Sequence, residues 1–175
     1  MKRLMMSMFL IVNLFLWNIP AAIAQFPEAG VQKLEVPVVA PDFMLKVLGG
    51  GKISLRELRG KIIVLNFFTS WCPVCQEEFL SFDKLSKEFK DTDIVFFKVA
   101  VKAKEKDLTR YGKFSPILMD DNGSVAKAYG VGAGHHETFF IDRSGKIVGK
   151  TFTEENWTSQ SVKDLIRYLL NVKDS

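Results

Sequence analysis

The sequence predicts an α/β fold in which a mixed β-sheet lies between helices. Residues 61–68 and 93–101 are two almost wholly apolar runs, and such runs are typical of central strands that are covered on both faces. Between them, Phe79, Phe82 and Leu85 recur at a spacing of three, which predicts the buried stripe of a helix. The order strand, helix, strand favours an α/β unit.

Composition narrows the class of protein before any motif is considered. Of the 175 residues, 47% are hydrophobic, and the 15 phenylalanines exclude a disordered chain. The net charge is +4 at pH 7, and the charges are interspersed. No basic run alternates with aromatic residues, so we expect no nucleic-acid partner. No repeat or second domain is apparent.

The N-terminus resembles an export signal. Lys2 and Arg3 precede an apolar run at 4–19, and Ala22-Ile23-Ala24 resembles a cleavage site. We therefore expect residues 1–24 to form a signal peptide, and the alternative is an uncleaved anchor that tethers the protein to the membrane. The run is shorter than the roughly 20 residues of a typical transmembrane helix. Either interpretation predicts an exported, periplasmic protein in an oxidising compartment.

The domain itself is predicted to span residues 41–175, after a loose leader at 25–40 that ends in a short strand near 34–39. An N-terminal β-hairpin is expected at 43–47 and 52–54, turning through three consecutive glycines. The further predicted elements are a short helix at 55–59 begun by a Ser54/Glu57 capping box, a helix from 73 to about 89, a helix at 105–111, a short strand within 115–123, a helix at 124–129, a hairpin of 138–141 with 146–151, and a last helix capped by Thr158 or Ser159 and ending near 171.

The two cysteines of the chain lie three positions apart, in "WCPVC". Pro73 favours the first helical position, which makes Cys72 the residue that caps the helix. Backbone N–H groups and the helix dipole should lower the pKa of Cys72 from about 8.5 into the range of roughly 3.5 to 7.5. Cys75 continues the apolar stripe, so we expect it to be buried. Cys72 is therefore predicted to be the exposed, attacking sulfur and Cys75 the sheltered, resolving one.

Structural roles for the pair are less favoured. A disulfide across so short a loop would constrain the unfolded chain little. A structural zinc site takes four ligands, and the chain has two cysteines. The position after a buried strand and at the start of a helix favours a redox pair.

Several motifs resemble the thioredoxin superfamily, in particular its exported TlpA-like and ResA-like branch. They are "APDF" at 40–43, "FFTSWCPVC" at 67–75 and "ETFFID" at 137–142. The resemblance implies a thioredoxin fold and thiol–disulfide exchange with no cofactor beyond the cysteine pair. It also implies reduction by a membrane thiol donor and oxidised exported clients such as apocytochrome c, as in cytochrome c maturation.

The same resemblance assigns roles to further residues. Cys72 would attack, Cys75 would resolve, and Trp71 would flank the site. Asn66 lies where thioredoxin carries a buried Asp, and since an amide does not titrate, a proton acceptor would have to come from elsewhere; a core amide is the structural alternative. Glu137 matches a glutamate near the disulfide in relatives, where it would raise the pKa of Cys72. The alternative is a solvated loop charge.

One position departs from the family pattern, because His136 stands where a cis-proline is expected. A cis bond before a non-proline residue costs about 2.5–4 kcal/mol, so we expect a trans bond there. His135 and His136 could be a surface pair, could transfer protons, or could join the cysteines in a Cys₂His metal site. The last option makes a copper or zinc carrier or sensor the alternative function. A thiol peroxidase is a weaker third alternative. Thr69 lies three residues ahead of Cys72, as in peroxide-reducing relatives, but the sequence offers no compelling arginine for a peroxide pocket.

Overall fold

The computed structural model describes residues 21–72, 75–108, 115–132, 136–152 and 156–172, without the side chains of 21–24, 76 and 77. The strands are β1 (Gln32–Val39), β2 (Met44–Val47), β3 (Lys52–Ser54), β4 (Ile62–Phe68), β5 (Ile94–Val101), β6 (Ile117–Asp120), β7 (Glu137–Ile141) and β8 (Lys146–Thr151). The α-helices are α1 (Ala21–Glu28), α2 (Cys75–Glu88), α3 (Glu105–Leu108), α4 (Ser124–Ala128) and α5 (Gln160–Asn171), and a 3₁₀ helix covers Leu55–Leu58.

The described strands form one mixed eight-stranded sheet in the order β1-β8-β7-β4-β5-β6-β2-β3. β4, β5 and β6 are parallel, while every other neighbouring pair is antiparallel. All seven residues of β4 are buried, as its unbroken apolar run predicts. The predicted mixed α/β fold and its β2–β3 hairpin are thus confirmed.

Residues of β4 alternate between two hydrophobic cores, one on each face of the sheet. Ile62 and Val64 pack in the core that α2 and α5 cover. Ile63, Leu65 and Phe67 pack on the opposite face, where α4 and the 3₁₀ helix contribute buried residues. This alternation follows from the period of two along a strand. β4 ends at Phe68, and α2 begins at Cys75.

Residues 25–40 are ordered rather than loose, and the short strand expected near 34–39 is present. Residues 21–28 form α1, and residues 32–39 form β1, which pairs with β8 at the sheet edge. Phe26 and Val31 are buried in the core. They approach Gly149 so closely that a Cβ there would lie 2.8 Å from the Phe26 ring and 2.9 Å from Val31. A glycine in β8 thus makes room for the N-terminal segment.

The remaining boundaries differ from prediction by small amounts. The helix predicted at 55–59 is a single 3₁₀ turn, with the Ser54/Glu57 capping box in place. Of the two residues predicted to cap α5, Ser159 is the cap, and its side chain accepts a hydrogen bond from the Val162 N–H. The helix predicted at 105–111 is described over Glu105–Leu108, and residues 109–114 lie outside the described part. Among the described residues, no helix has the length and hydropathy that crossing a bilayer requires.

Candidate functional site

The cysteine pair lies where the central strand β4 passes into α2. The N–H of Cys72 donates to the Thr69 carbonyl at 3.2 Å, which closes a turn after β4. Cys75 is the first residue of α2. Pro73, expected at the first helical position, lies outside the described residues. Cys72 thus lies in the turn that follows β4, and Cys75 lies in α2.

The two cysteines form a disulfide bond, with their Cα atoms 5.5 Å apart. The N–H of Cys75 points to the sulfur of Cys72 at 3.3 Å, as expected for a residue that caps a helix. Cys75 is completely buried, as predicted, whereas 9% of the Cys72 surface is accessible. The expectation of an exposed Cys72 is therefore wrong, because this residue is almost wholly buried, although it is the more accessible of the two cysteines. Trp71 beside it is 69% exposed.

His136 lies next to the sulfurs. One ring nitrogen of His136 and the two sulfurs are all within 4.8 Å of one another. The register of the sheet explains this placement, because Glu137 at the start of β7 pairs with Phe67 near the end of β4. His136 is half-buried and adjoins the sulfurs, which disfavours the surface-pair interpretation for this residue. His135 lies outside the described residues, and so does the geometry of the bond that joins it to His136.

Glu137 is buried, so a solvated loop charge is excluded. It follows His136 directly and begins β7. A buried carboxylate thus lies at the start of β7, directly after the histidine that adjoins the sulfurs.

Asn66 belongs to a buried hydrogen-bond network behind the cysteines. Its Nδ2 donates to Glu78 Oε1 at 3.2 Å and to Thr138 Oγ1 at 2.8 Å. The same Glu78 oxygen accepts from Trp157 Nε1 at 2.9 Å. Glu78 lies one helical turn beyond Cys75, on the face that Cys75 shares. Asn66 is therefore a core amide that also positions a carboxylate on the cysteine helix.

A buried ion pair lies deeper in the same region. Lys98 in β5 is 0% exposed, and its Nζ lies 2.7 Å from Asp83 Oδ1 of α2. The ammonium also lies 4.7 Å from the centre of the Phe79 ring. Burial lowers the pKa of Lys98 from its usual value, and the hydrogen bond and charge of Asp83 partly oppose that shift. The pair connects the central parallel strands to the helix that Cys75 begins.

Sequence reasoning missed Glu78, Trp157, Asp83 and Lys98. A signal existed for two of them. Glu78 stands at a core position of the stripe that Cys75 and Phe79 share, and Lys98 interrupts an apolar run. A polar residue at a position with core periodicity indicates a buried partner elsewhere.

A sheet of this topology, with a disulfide at the point where a central strand meets a helix, defines a thiol–disulfide oxidoreductase of the thioredoxin fold. Residues 36–150 match the AhpC/TSA family, and the chain belongs to this family. It is 31% identical over 133 residues to the thiol-disulfide oxidoreductase ResA of Bacillus thuringiensis, covering 73% of this chain and 75% of that protein. It is 33% identical over 138 residues to the thioredoxin-like protein YneN of Bacillus subtilis, covering 75% and 77%.

Solved structures agree with this assignment. A DsbE-like thiol:disulfide interchange protein from Chlorobium tepidum superposes with a TM-score of 0.70 and is 25% identical. The superposition covers 79% of this chain and 99% of that one. The thioredoxin fold expected from the motifs is thereby confirmed.

Proposed function

We propose that this oxidoreductase works mainly as an exported reductase of protein disulfides. The observation that carries the proposal is the unequal environment of the two sulfurs. Cys72 keeps 9% of its surface accessible and its sulfur accepts the Cys75 N–H, while Cys75 is completely buried. Such a pair supports attack by one sulfur and release by the other.

The reaction begins with the pair reduced. The Cys72 thiolate attacks a client disulfide, which forms a Cys72–client mixed disulfide and releases the other client sulfur. Cys75 then loses its proton and attacks Cys72, which releases the client as a dithiol and closes the Cys72–Cys75 bond. Two electrons and two protons pass to the client. The described disulfide corresponds to the oxidised product.

Glu78 is the proposed acceptor for the Cys75 proton. It is buried one turn beyond Cys75, and Asn66 and Trp157 hold one of its oxygens in place. Asn66 itself cannot take up a proton, so its part is to position the carboxylate. General-base assistance of this kind contributes typically about 10²–10⁴-fold to a rate.

The buried carboxylates also support the reducing direction. Negative charge beside a sulfur disfavours the thiolate, whereas a stabilised thiolate makes a dithiol pair oxidising. Glu78 follows Cys75 by one turn, and Glu137 adjoins His136 at the sulfurs. Ionised carboxylates at these two positions would oppose the helix dipole at Cys72 and favour the disulfide over the dithiol.

Export and partners complete the proposal. The signal-like residues 1–24 support a location outside the cytoplasm, with or without a retained tether. An oxidising compartment requires a membrane dithiol donor to regenerate the reduced pair. Apocytochrome c, or another exported protein with an oxidised cysteine pair, is the proposed client.

Redox titration of the Cys72/Cys75 pair against glutathione and dithiothreitol tests the direction. We expect a potential near the reducing end of the range from roughly −270 to −120 mV. Glu137→Gln should shift it towards the oxidising end, while Glu88→Gln at the far end of α2 should leave it unchanged. A wild-type potential at the oxidising end would contradict the reductase. Rapid consumption of hydrogen peroxide would instead favour the peroxidase alternative.

A further inference from the structure

We propose that the reduced site binds one thiophilic metal ion of the Zn²⁺ class through Cys72, Cys75 and His136. The site is closed to metal while the disulfide is intact and opens when the pair is reduced. This inference goes beyond the reductase activity and requires only that the pair can be reduced.

The donor set is already assembled in the fold. One atom from each of the three residues lies within 4.8 Å of the other two. Neighbouring ligand atoms of a tetrahedral zinc ion lie about 3.3–3.8 Å apart, given Zn–S distances near 2.3 Å and Zn–N distances near 2.0–2.1 Å. The Cα atoms of the cysteines, at 5.5 Å, need no backbone separation to reach one ion. Only the sulfurs have to move apart once their bond is broken.

His136 offers an independent observation. Its Nε2 is buried and has no hydrogen-bond partner among the described residues. A buried polar atom left without a partner costs about 1–3 kcal/mol. Among the described residues, no hydrogen bond from Nε2 accounts for the position of the ring beside the sulfurs. A metal ion shared with the sulfurs would supply a bond to one nitrogen of this ring.

Charge favours a cation at this place. Two thiolates and a neutral imidazole neutralise a divalent ion, and binding releases two protons from the thiols. Two buried acidic residues adjoin the ligand residues in sequence: Glu78 lies one turn beyond Cys75 in α2, and Glu137 follows His136 at the start of β7. Soft thiolates with an imidazole suit Zn²⁺ and Cu⁺ rather than Mg²⁺ or Ca²⁺. Three protein ligands leave one position open for water or an incoming thiol.

The redox state controls the site because a disulfide sulfur is a poor ligand. Adding two electrons and two protons to the Cys72–Cys75 bond yields two thiols, and the metal then replaces both protons. The dithiol donor that regenerates the reductase supplies these electrons. Bound metal would occupy the Cys72 sulfur, so it would inhibit disulfide exchange until a chelator removes it.

Competition of Zn²⁺ against a chromophoric chelator, with protein reduced by a phosphine that does not bind zinc, tests the proposal. We expect one equivalent to bind to the reduced protein and none to the oxidised protein. His136→Ala should weaken binding by more than roughly tenfold, since replacing even a group that merely supports a ligand costs 10–100-fold. His135→Ala is the matched control and should retain the affinity. Equal affinity for His136→Ala, or loss in His135→Ala alone, would overturn the Cys₂His site.

X-ray absorption of the zinc-loaded, reduced wild type makes the test independent of how the variants fold. We expect scattering from two sulfurs at about 2.3 Å and one imidazole nitrogen at about 2.0–2.1 Å. Absence of the imidazole, or no bound zinc, would overturn the proposal. Disulfide exchange measured without metal reports separately on the reductase. Failure of either activity can thus be told from failure of the other.

Discussion

Glu78 Oε1 accepts a 2.9 Å hydrogen bond from the indole Nε1 of Trp157, a residue 79 positions further along the chain. Trp157 is buried, and its ring meets that of Phe82 edge to face. Asn66 donates to the same carboxylate oxygen from β4. The carboxylate beyond Cys75 is thus fixed from two sides by the core. A group held in this way is suited to exchange a proton with the sulfur on its own helix.

Glu78→Gln should slow the second step of the exchange more than the first. The amide cannot accept the Cys75 proton, so the Cys72–client mixed disulfide should persist, with its decay slowed about 10²-fold or more. Stopped-flow kinetics with a disulfide peptide, combined with mass spectrometry of quenched samples, measures both steps. Glu88→Gln removes the same charge from the exposed end of α2 and should not change the decay. Equal slowing by both variants would contradict the role of Glu78.

Removing Lys98 alone should destabilise the protein strongly. Lys98→Met leaves the Asp83 carboxylate buried without its cation, at a cost of about 3–5 kcal/mol in the free energy of unfolding. The double variant Lys98→Met/Asp83→Asn removes both charges of the pair and retains an acceptor for the Ser115 N–H, so it should be more stable than the single variant. Urea denaturation measures both.

The exposed pair of Lys46 and Asp121, 3.3 Å apart, is the control for this prediction. Lys46→Met should change the free energy of unfolding by no more than about 1 kcal/mol. A double variant no more stable than Lys98→Met would show that the loss arises from packing rather than from an unpaired charge.

Tyr129→Phe should alter the pH dependence of stability. Burial, with a smaller effect of Asp42, raises the pKa of Tyr129. Above about pH 10 an unfolded tyrosine ionises while Tyr129 in the folded protein stays protonated, so the native state holds more protons and stability falls as pH rises. The phenylalanine variant lacks this contribution. The wild type should therefore lose more stability than the variant between about pH 8 and 10.5 in urea titrations. Equal losses of stability in the two proteins would contradict a raised pKa of Tyr129.

Phe26→Ala tests whether α1 belongs to the domain. Loss of this buried ring should lower the free energy of unfolding by about 3–5 kcal/mol. Val36→Ala in the following strand removes a side chain that is 77% exposed and should change it by less than about 0.5 kcal/mol. If Phe26→Ala and Val36→Ala had similarly small effects, residues 25–40 would be a loose leader rather than part of the domain.

Periodicity predicted the parts of the fold in which each residue's burial follows from its neighbours in sequence. β4, the stripe of α2 and the burial of Cys75 are of this kind. The N-terminal segment was missed because its partner surface, including Gly149, lies more than 100 residues away. Glu78 was missed for the same reason, since its burial depends on Trp157 and Asn66. The position of the cysteines could be predicted from local sequence. The polar groups around them depend on tertiary contacts and could not.

Trapping the mixed disulfide tests the division of labour between the sulfurs most directly. Reduced Cys75→Ser and Cys72→Ser proteins would each be mixed with a disulfide-containing peptide, and the adducts mapped by mass spectrometry. The account predicts a stable adduct on Cys72 in Cys75→Ser and little or none on Cys75 in Cys72→Ser. Equal adducts on the two sulfurs, or a faster reaction at Cys75, would contradict it.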